Sequence, residues 1–154
     1  MSADMTNQHT PMSFREKSAW ISLVLLLVLG GIYFWNFALI LARRPAFSDV
    51  ELFFGVVAAL VIAEVVLHMA IAIRSPEEAR TPKDEREWLI DLKATRVAFF
   101  VLLVSAFASI GTVHLPLRDP HDHTFVMMHG VLFSIVAAEI VKFGTQIALY
   151  RRDA

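Results

Sequence analysis

The chain has no cysteine, so disulfides, thiolate metal sites and cysteine nucleophiles are excluded by composition. Charge is also scarce, at 19% of 154 residues against 56% hydrophobic, a balance outside the usual range of a soluble domain. The scarcity is uneven. Between Lys17 and Arg43 lie 25 positions without a single charged side chain, and about 20 helical residues suffice to cross a hydrocarbon core of roughly 30 Å. A long polar stretch is missing too: Arg74 to Arg96 is the longest, and it is too short to build a core of its own.

What is present is four apolar runs, about 18–42, 52–73, 95–113 and 124–149, each bounded by charge or proline. They predict an all-α four-helix transmembrane bundle occupying 18–150 as a single membrane domain. Residues 1–17 and 151–154 are read as tails, the first of them flexible. Arg15 and Lys17 precede the first run as they would in a signal peptide, but this run continues through Tyr33, Phe34 and Trp35 without a small-residue cleavage pattern, so it reads as a retained span.

Basic residues near the spans set the expected orientation. With four crossings, the termini share a side with the central loop, and that side carries ten Lys and Arg (15, 17, 74, 80, 83, 86, 93, 96, 151, 152) against Arg43, Arg44 and Arg118 opposite. The positive-inside bias predicts that the termini and the central loop are cytoplasmic. The central loop balances six basic against six acidic residues, leaving no electrostatic footprint for nucleic acid.

Sliding the chain by 75 residues lays GVVAALVIAEVV (55–66) over GVLFSIVAAEIV (130–141), with six of twelve positions identical, among them Gly55 with Gly130 and Glu64 with Glu139. Gly30 and Gly31 fall over Ser105 and Ala106, small residues that permit close helix approach. This predicts two tandem two-helix hairpins related by a pseudo-twofold along the membrane normal. In the central loop, Ser75-Pro76-Glu77-Glu78 and Thr81-Pro82-Lys83-Asp84 each read as a helix start. From Pro82, Trp88, Leu89 and Leu92 form one apolar face leading into the third span, as an interfacial helix would.

SFREKSAWISL before the first span, PKDEREWLIDLKATR before the third and the ending IALYRR resemble a family of small four-span bacterial inner-membrane proteins of unknown biochemical function. The resemblance covers nearly the whole chain. It implies a fold and a location, and it brings no catalytic residues.

Two carboxylates stand midway along apolar spans, Glu64 in the second and Glu139 in the fourth. Each costs roughly 2.5–3.5 kcal/mol at the bilayer centre on insertion scales, so such residues usually face a bundle interior. A pseudo-twofold would bring them to one depth as a buried layer, where two facing acids must share a proton. His68, one turn after Glu64, and Lys142, three residues after Glu139, are the basic partners within reach on the same helices. Two readings follow: a layer that locks helices together, or a site for a proton or small cation. Lys142 can also snorkel toward the interface, with Gln146 on its face.

The segment HLPLRDPHDHTFVMMHG (114–130) holds four of the six histidines. His121, His123 and His129, with Asp119 and Asp122 among them, are the candidate ligands for a divalent metal. Met127 and Met128 are adjacent, so at most one faces a shared site. The plainer reading is a polar hairpin, with Pro116 and Pro120 breaking the third helix and His123 or Thr124 opening the fourth. His68 and His129 lie on the order of 15 Å apart in depth, too far for the two axial positions of one haem. No cofactor is therefore expected, with a divalent metal as the exception to test. The expected function is a non-enzymatic accessory subunit or small homo-oligomer, or a subunit of a larger membrane complex. A proton- or cation-coupled transporter and an outer-face metal or redox protein are the alternatives.

Overall fold

A computed structural model describes residues 12–114 and 120–152. Helix α1 runs Phe14–Leu41, α2 Asp49–Arg74, the short α3 Pro76–Arg80, α4 Glu85–Gly111 and α5 Pro120–Arg152, with a single 3₁₀ turn at Thr112–His114. The four long helices are each long and apolar enough to cross a membrane. No strand occurs among the described residues, and the all-α four-span bundle expected from the hydropathy runs is what the chain forms.

Helix ends follow local chemistry. Ser13 caps α1 by accepting from the Glu16 amide at 3.2 Å. At its other end α1 closes with a Schellman motif, in which Arg44 N–H reaches Leu39 O and Arg43 N–H reaches Ile40 O, both at 2.9 Å. Arg43 occupies the left-handed position usually given to glycine, at φ 56°, a conformation costing about 1–2 kcal/mol for a residue with a Cβ. Of the two helix starts in the central loop, the first opens α3 with Pro76. The second begins later than the Thr81-Pro82 signal implies, because Asp84 and Glu87 form a reciprocal capping box that satisfies two amides at once. Trp88 is then exposed on the first turn of α4, where an interfacial residue belongs.

The helix of the fourth span also starts early. Helix α5 begins at Pro120, three residues before the apolar span that starts at His123, because proline's fixed φ suits the first helical turn and its missing N–H has no helical partner to lose there. Positions 121 and 123 are thus helical and do not belong to a hairpin loop. The expected tail at 1–17 is likewise shorter, since Phe14 to Lys17 are already in α1.

Packing joins α1 to α2, α1 to α5 and α4 to α5. The two hairpins are therefore present, and α5 crosses between them to lie on α1. No comparable α2–α4 interface exists among the described residues, although a pseudo-twofold would require one as the counterpart of α1–α5. The two hairpins are also packed unequally within themselves. A Cβ on Gly130 would lie 2.8 Å from Ser109 Oγ and 2.9 Å from its Cβ, whereas Gly55, its partner in the sequence repeat, has nothing within 4 Å. Along α5, Gly130, Ser134 and Ala138 recur at four-residue spacing, and Ser134 is fully buried with its hydroxyl 3.2 Å from that of Ser109. Such small residues let two backbones approach where lipid supplies no hydrophobic drive between helices. Gly30 does the same for α1 against Val136 of α5, at 3.2 Å, while Gly31 meets nothing.

Ion pairs gather one end of the molecule. Arg15 of α1 pairs with Glu87 of α4 at 2.6 Å and donates to Thr81 O at 3.0 Å. Arg151 near the end of α5 pairs with Glu16 at 3.2 Å. This terminal end holds the α1 start, the α5 finish and the central loop. The α1–α2 connection, the 3₁₀ turn at Thr112–His114 and the start of α5 form the distal end.

Candidate functional site: two histidine–carboxylate clusters beside α1

Helix α1 turns an unexpected set of polar side chains inward: Ser18, Ser22, Tyr33 and Asn36. Ser22 and Asn36 are buried at 4% exposure each and Tyr33 at 6%. Each has a partner, as polar groups withdrawn from water must.

Toward the terminal end, Ser18 and Ser22, one turn apart, meet Glu64 and His68, one turn apart on α2. Ser22 donates to Glu64 Oε2 at 3.1 Å. His68 Nδ1 lies 2.8 Å from the Glu64 carbonyl and 2.9 Å from its carboxylate. Because both of those atoms accept, Nδ1 carries a proton, and Nε2 lies 2.6 Å from the Ser18 hydroxyl, which can either donate to it or accept from it. The pair is only partly covered, with Glu64 28% and His68 32% exposed.

Glu139 is elsewhere. It pairs with Lys142 at 3.3 Å and its side chain is 44% exposed, while Lys142 also lies over the Phe143 ring. No hydrogen bond or ion pair joins Glu64 to Glu139 among the described residues. The buried layer of two facing acids does not form, for a geometric reason. The α5 face against α4 is the Gly130–Ser134–Ala138 stripe, and Glu139 lies about 100° around the helix from Ala138. Each acid is instead satisfied by a base on its own helix face, at i+4 and i+3. Gln146 donates to Asp91 of α4 at 2.9 Å.

The better enclosed cluster is at the distal end. His129 of α5 is 4% exposed. Its ring stacks against Phe37 at 4.5 Å and Tyr33 at 5.7 Å, with Phe125 tilted at 4.2 Å. Its Nδ1 lies 2.8 Å from the Phe125 carbonyl. Its Nε2 lies 3.0 Å from Asp49 Oδ1, at the start of α2, and 3.0 Å from the Tyr33 hydroxyl. A carbonyl can only accept, so Nδ1 carries a proton. The 3.0 Å contact between Nε2 and a carboxyl oxygen then requires one more proton between them, on the imidazole or on Asp49. With that proton the His129–Asp49 pair is neutral overall, and the Tyr33 hydroxyl, hydrogen-bonded to Asp49 as well, belongs to the same cluster.

This arrangement reassigns one of the metal candidates. His129 has both ring nitrogens engaged by protein groups. His123 is on α5 with Nδ1 buried and without a hydrogen-bond partner, and the side chain of His121 lies outside the described residues. Among the described residues no three His, Asp or Glu side chains group as a metal-ligand set.

The profile of a family described as a predicted membrane protein, DUF2178, matches residues 15–154. The chain belongs to the DUF2178 family. This is the small four-span membrane family of unknown function that the charged segments before the first and third spans resemble. Comparison with curated proteins and with solved structures gives no match.

Several residues of these DUF2178 clusters escape inspection of the sequence, and Asn36 is the plainest. Its amide group accepts from Phe47 N–H at 2.9 Å and donates to Phe47 O at 3.3 Å, pinning the α1–α2 connection across the distal end. A lone asparagine inside WNF of an apolar span was the available signal. Asn36→Ala is expected to cost about 1–3 kcal/mol, since Phe47 loses both bonds in a half-covered setting. Amide exchange at Phe47 should accelerate by at least about tenfold, and unchanged protection there would show that the clamp is idle.

Proposed function

We propose that the chain is a non-enzymatic subunit of a membrane assembly, set in a bacterial inner membrane with both termini in the cytoplasm. The orientation rests on the ten-to-three distribution of basic residues across the spans. A second copy of the chain is the partner that needs no other component.

One observation carries this reading: α2 has no buried residue along its 26 positions, yet bears the Glu64–His68 pair, about a quarter to a third exposed, midway through an apolar span. Lipid cannot hydrogen-bond those groups, and partly exposed charge at that depth costs on the order of 2–3 kcal/mol. A helix from a neighbouring protein laid along this flank removes the cost and buries apolar side chains such as Val61, Ile62 and Val65, all more than half exposed.

Coupled transport of a proton or small cation is the alternative reading; with Glu64 on His68 and Glu139 on Lys142 it would rest on two separate sites. An outer-face metal site has His123 as its remaining described ligand, with His121 beside it in sequence.

The absence of cysteine makes the test direct. Single cysteines at Ala58, Ile62 or Val65 of α2 are expected to give a disulfide-linked dimer in native membranes, whereas Phe107→Cys on the exposed face of α4 is not. A heavier cross-linked band would keep the subunit reading and replace the second copy by another protein. No cross-link from any α2 position, with a monomeric mass by native mass spectrometry from nanodiscs, would end it.

A further inference from the structure

We infer that the cleft between α2 and α5 at the distal end binds an uncharged, oxygen-headed, ring-bearing amphiphile of the isoprenoid-quinone class. The cleft is a cavity of about 500 Å³ whose walls include Tyr33, Asp49, Phe53, Phe54, Met128 and His129, within the roughly 300–1,000 Å³ typical of small-molecule sites. It exists because α2 and α5 both pack on α1 without an extended interface to one another. A gap between two spans at this depth opens sideways into the bilayer, so the occupant arrives from lipid.

The lining separates a head region from a tail region. Among the described residues the polar side chains of the lining are those of Tyr33, Asp49 and His129, and the other side chains are aliphatic, aromatic or thioether. A smaller apolar cavity of about 90 Å³ shares Tyr33, Phe53 and Leu132 with the first and continues toward the middle of the span past Gly30, Leu60 and Val136. A molecule with one polar end and a slender apolar chain matches this sequence of surfaces.

Charge selects among such molecules. The neutral Asp49–His129 pair offers no net charge, and among the described residues no lysine or arginine lines the cavity, so an anionic phosphate head meets no described counter-ion there. An ammonium head has no free carboxylate either, because Asp49 is already neutralised by His129 at 3.0 Å. What the site offers is a carboxyl one-quarter exposed and a phenol hydrogen-bonded to it, so a head-group hydroxyl is met by the carboxyl oxygen, and a head-group carbonyl by the phenol O–H once it turns from Asp49. Three aromatic rings and Met128 supply faces and a thioether for a flat ring. This assignment is independent of the assembly reading, which concerns Glu64 and His68 at the opposite half of α2.

The test uses the full chain in nanodiscs and three probes with the same decyl tail: a decyl-substituted benzoquinone, decylammonium and decyl phosphate. The quinone is expected to bind saturably, one per chain, and to raise the thermal midpoint in proportion to occupancy. The two charged probes should bind at least about tenfold more weakly. Val50→Trp, at a cavity-wall position 63% exposed, should weaken quinone binding by at least about tenfold, whereas Val104→Trp, exposed on α4 and outside the cavity wall, should not. If Val50→Trp does not fold, Met128→Trp, also exposed on the cavity wall, takes its place. Equal binding of all three probes, no saturable binding of the quinone, or binding indifferent to both cavity-wall tryptophans overturns the assignment.

Discussion

Replacing His129 by alanine is expected to destabilise the fold by about 3–5 kcal/mol, the range of large-to-small substitutions at packed aromatic positions. Two losses combine. The ring vacates a slot among Tyr33, Phe37 and Phe125. The Phe125 carbonyl and Asp49 also lose their bonds at 2.8 and 3.0 Å, and Asp49 is left as an acid in apolar surroundings with no base to share its proton. Because α5 and the start of α2 are tied together here, the damage should spread to the α1–α2 connection. Reversible unfolding in mixed micelles measures the total. A cycle of His129→Ala, Asp49→Asn and the double variant measures the coupling, expected at about 1–3 kcal/mol. A coupling near zero would mean that the 3.0 Å contact holds nothing together.

Gly130→Ala should cost about 1–3 kcal/mol, by overpacking. The added methyl would sit 2.8 Å from Ser109 Oγ and 2.9 Å from Ser109 Cβ, with the Ser109 Cα itself at 3.5 Å, so rotating the serine cannot relieve the contact. Helices α4 and α5 must separate, and the hydrogen bond between Ser109 and the fully buried Ser134 goes with them. The geometry also predicts the rescue. Ser109→Ala keeps the offending Cβ and should recover little, whereas Ser109→Gly removes it and should recover most of the loss, less about 1 kcal/mol for a mid-helix glycine. Gly55→Ala, at the equivalent place in the sequence repeat, should be neutral or slightly stabilising, because no neighbour lies within 4 Å. Equal costs at Gly55 and Gly130 would contradict this account of the α4–α5 interface.

The contrast between these two glycines shows where sequence reading stops. The repeat aligns Gly55 with Gly130 and Glu64 with Glu139 as if they had equal surroundings. Among the described residues α5 packs extensively on two long helices and α2 on one, so equivalent letters meet different atoms. His129 is a second instance. Locality grouped it with His121 and His123 as a metal ligand, but its partners Tyr33 and Asp49 are 96 and 80 residues away. No spacing rule connects a histidine to an acid that far off. Asn36, Ser18 and Ser22 were visible as polar residues in an apolar span, yet without the facing helix nothing gave them a role.

Taken alone, the sequence determined the number of membrane-crossing helices, their approximate extents and the hairpin connectivity. Those properties depend on hydropathy summed over about 20 residues and on local chain stops, both of which are short-range. It also marked the pairs Glu64–His68 and Glu139–Lys142, because neighbours at i+4 and i+3 share a helix face whatever surrounds the helix. Only the tertiary structure decided which helices touch, that the two acids stay apart, and that His129 closes a neutral hydrogen-bonded cluster at the head of an apolar cleft. Between spans that are all comparably apolar, the choice of neighbour is made by close contacts at a few small residues, which hydropathy does not register.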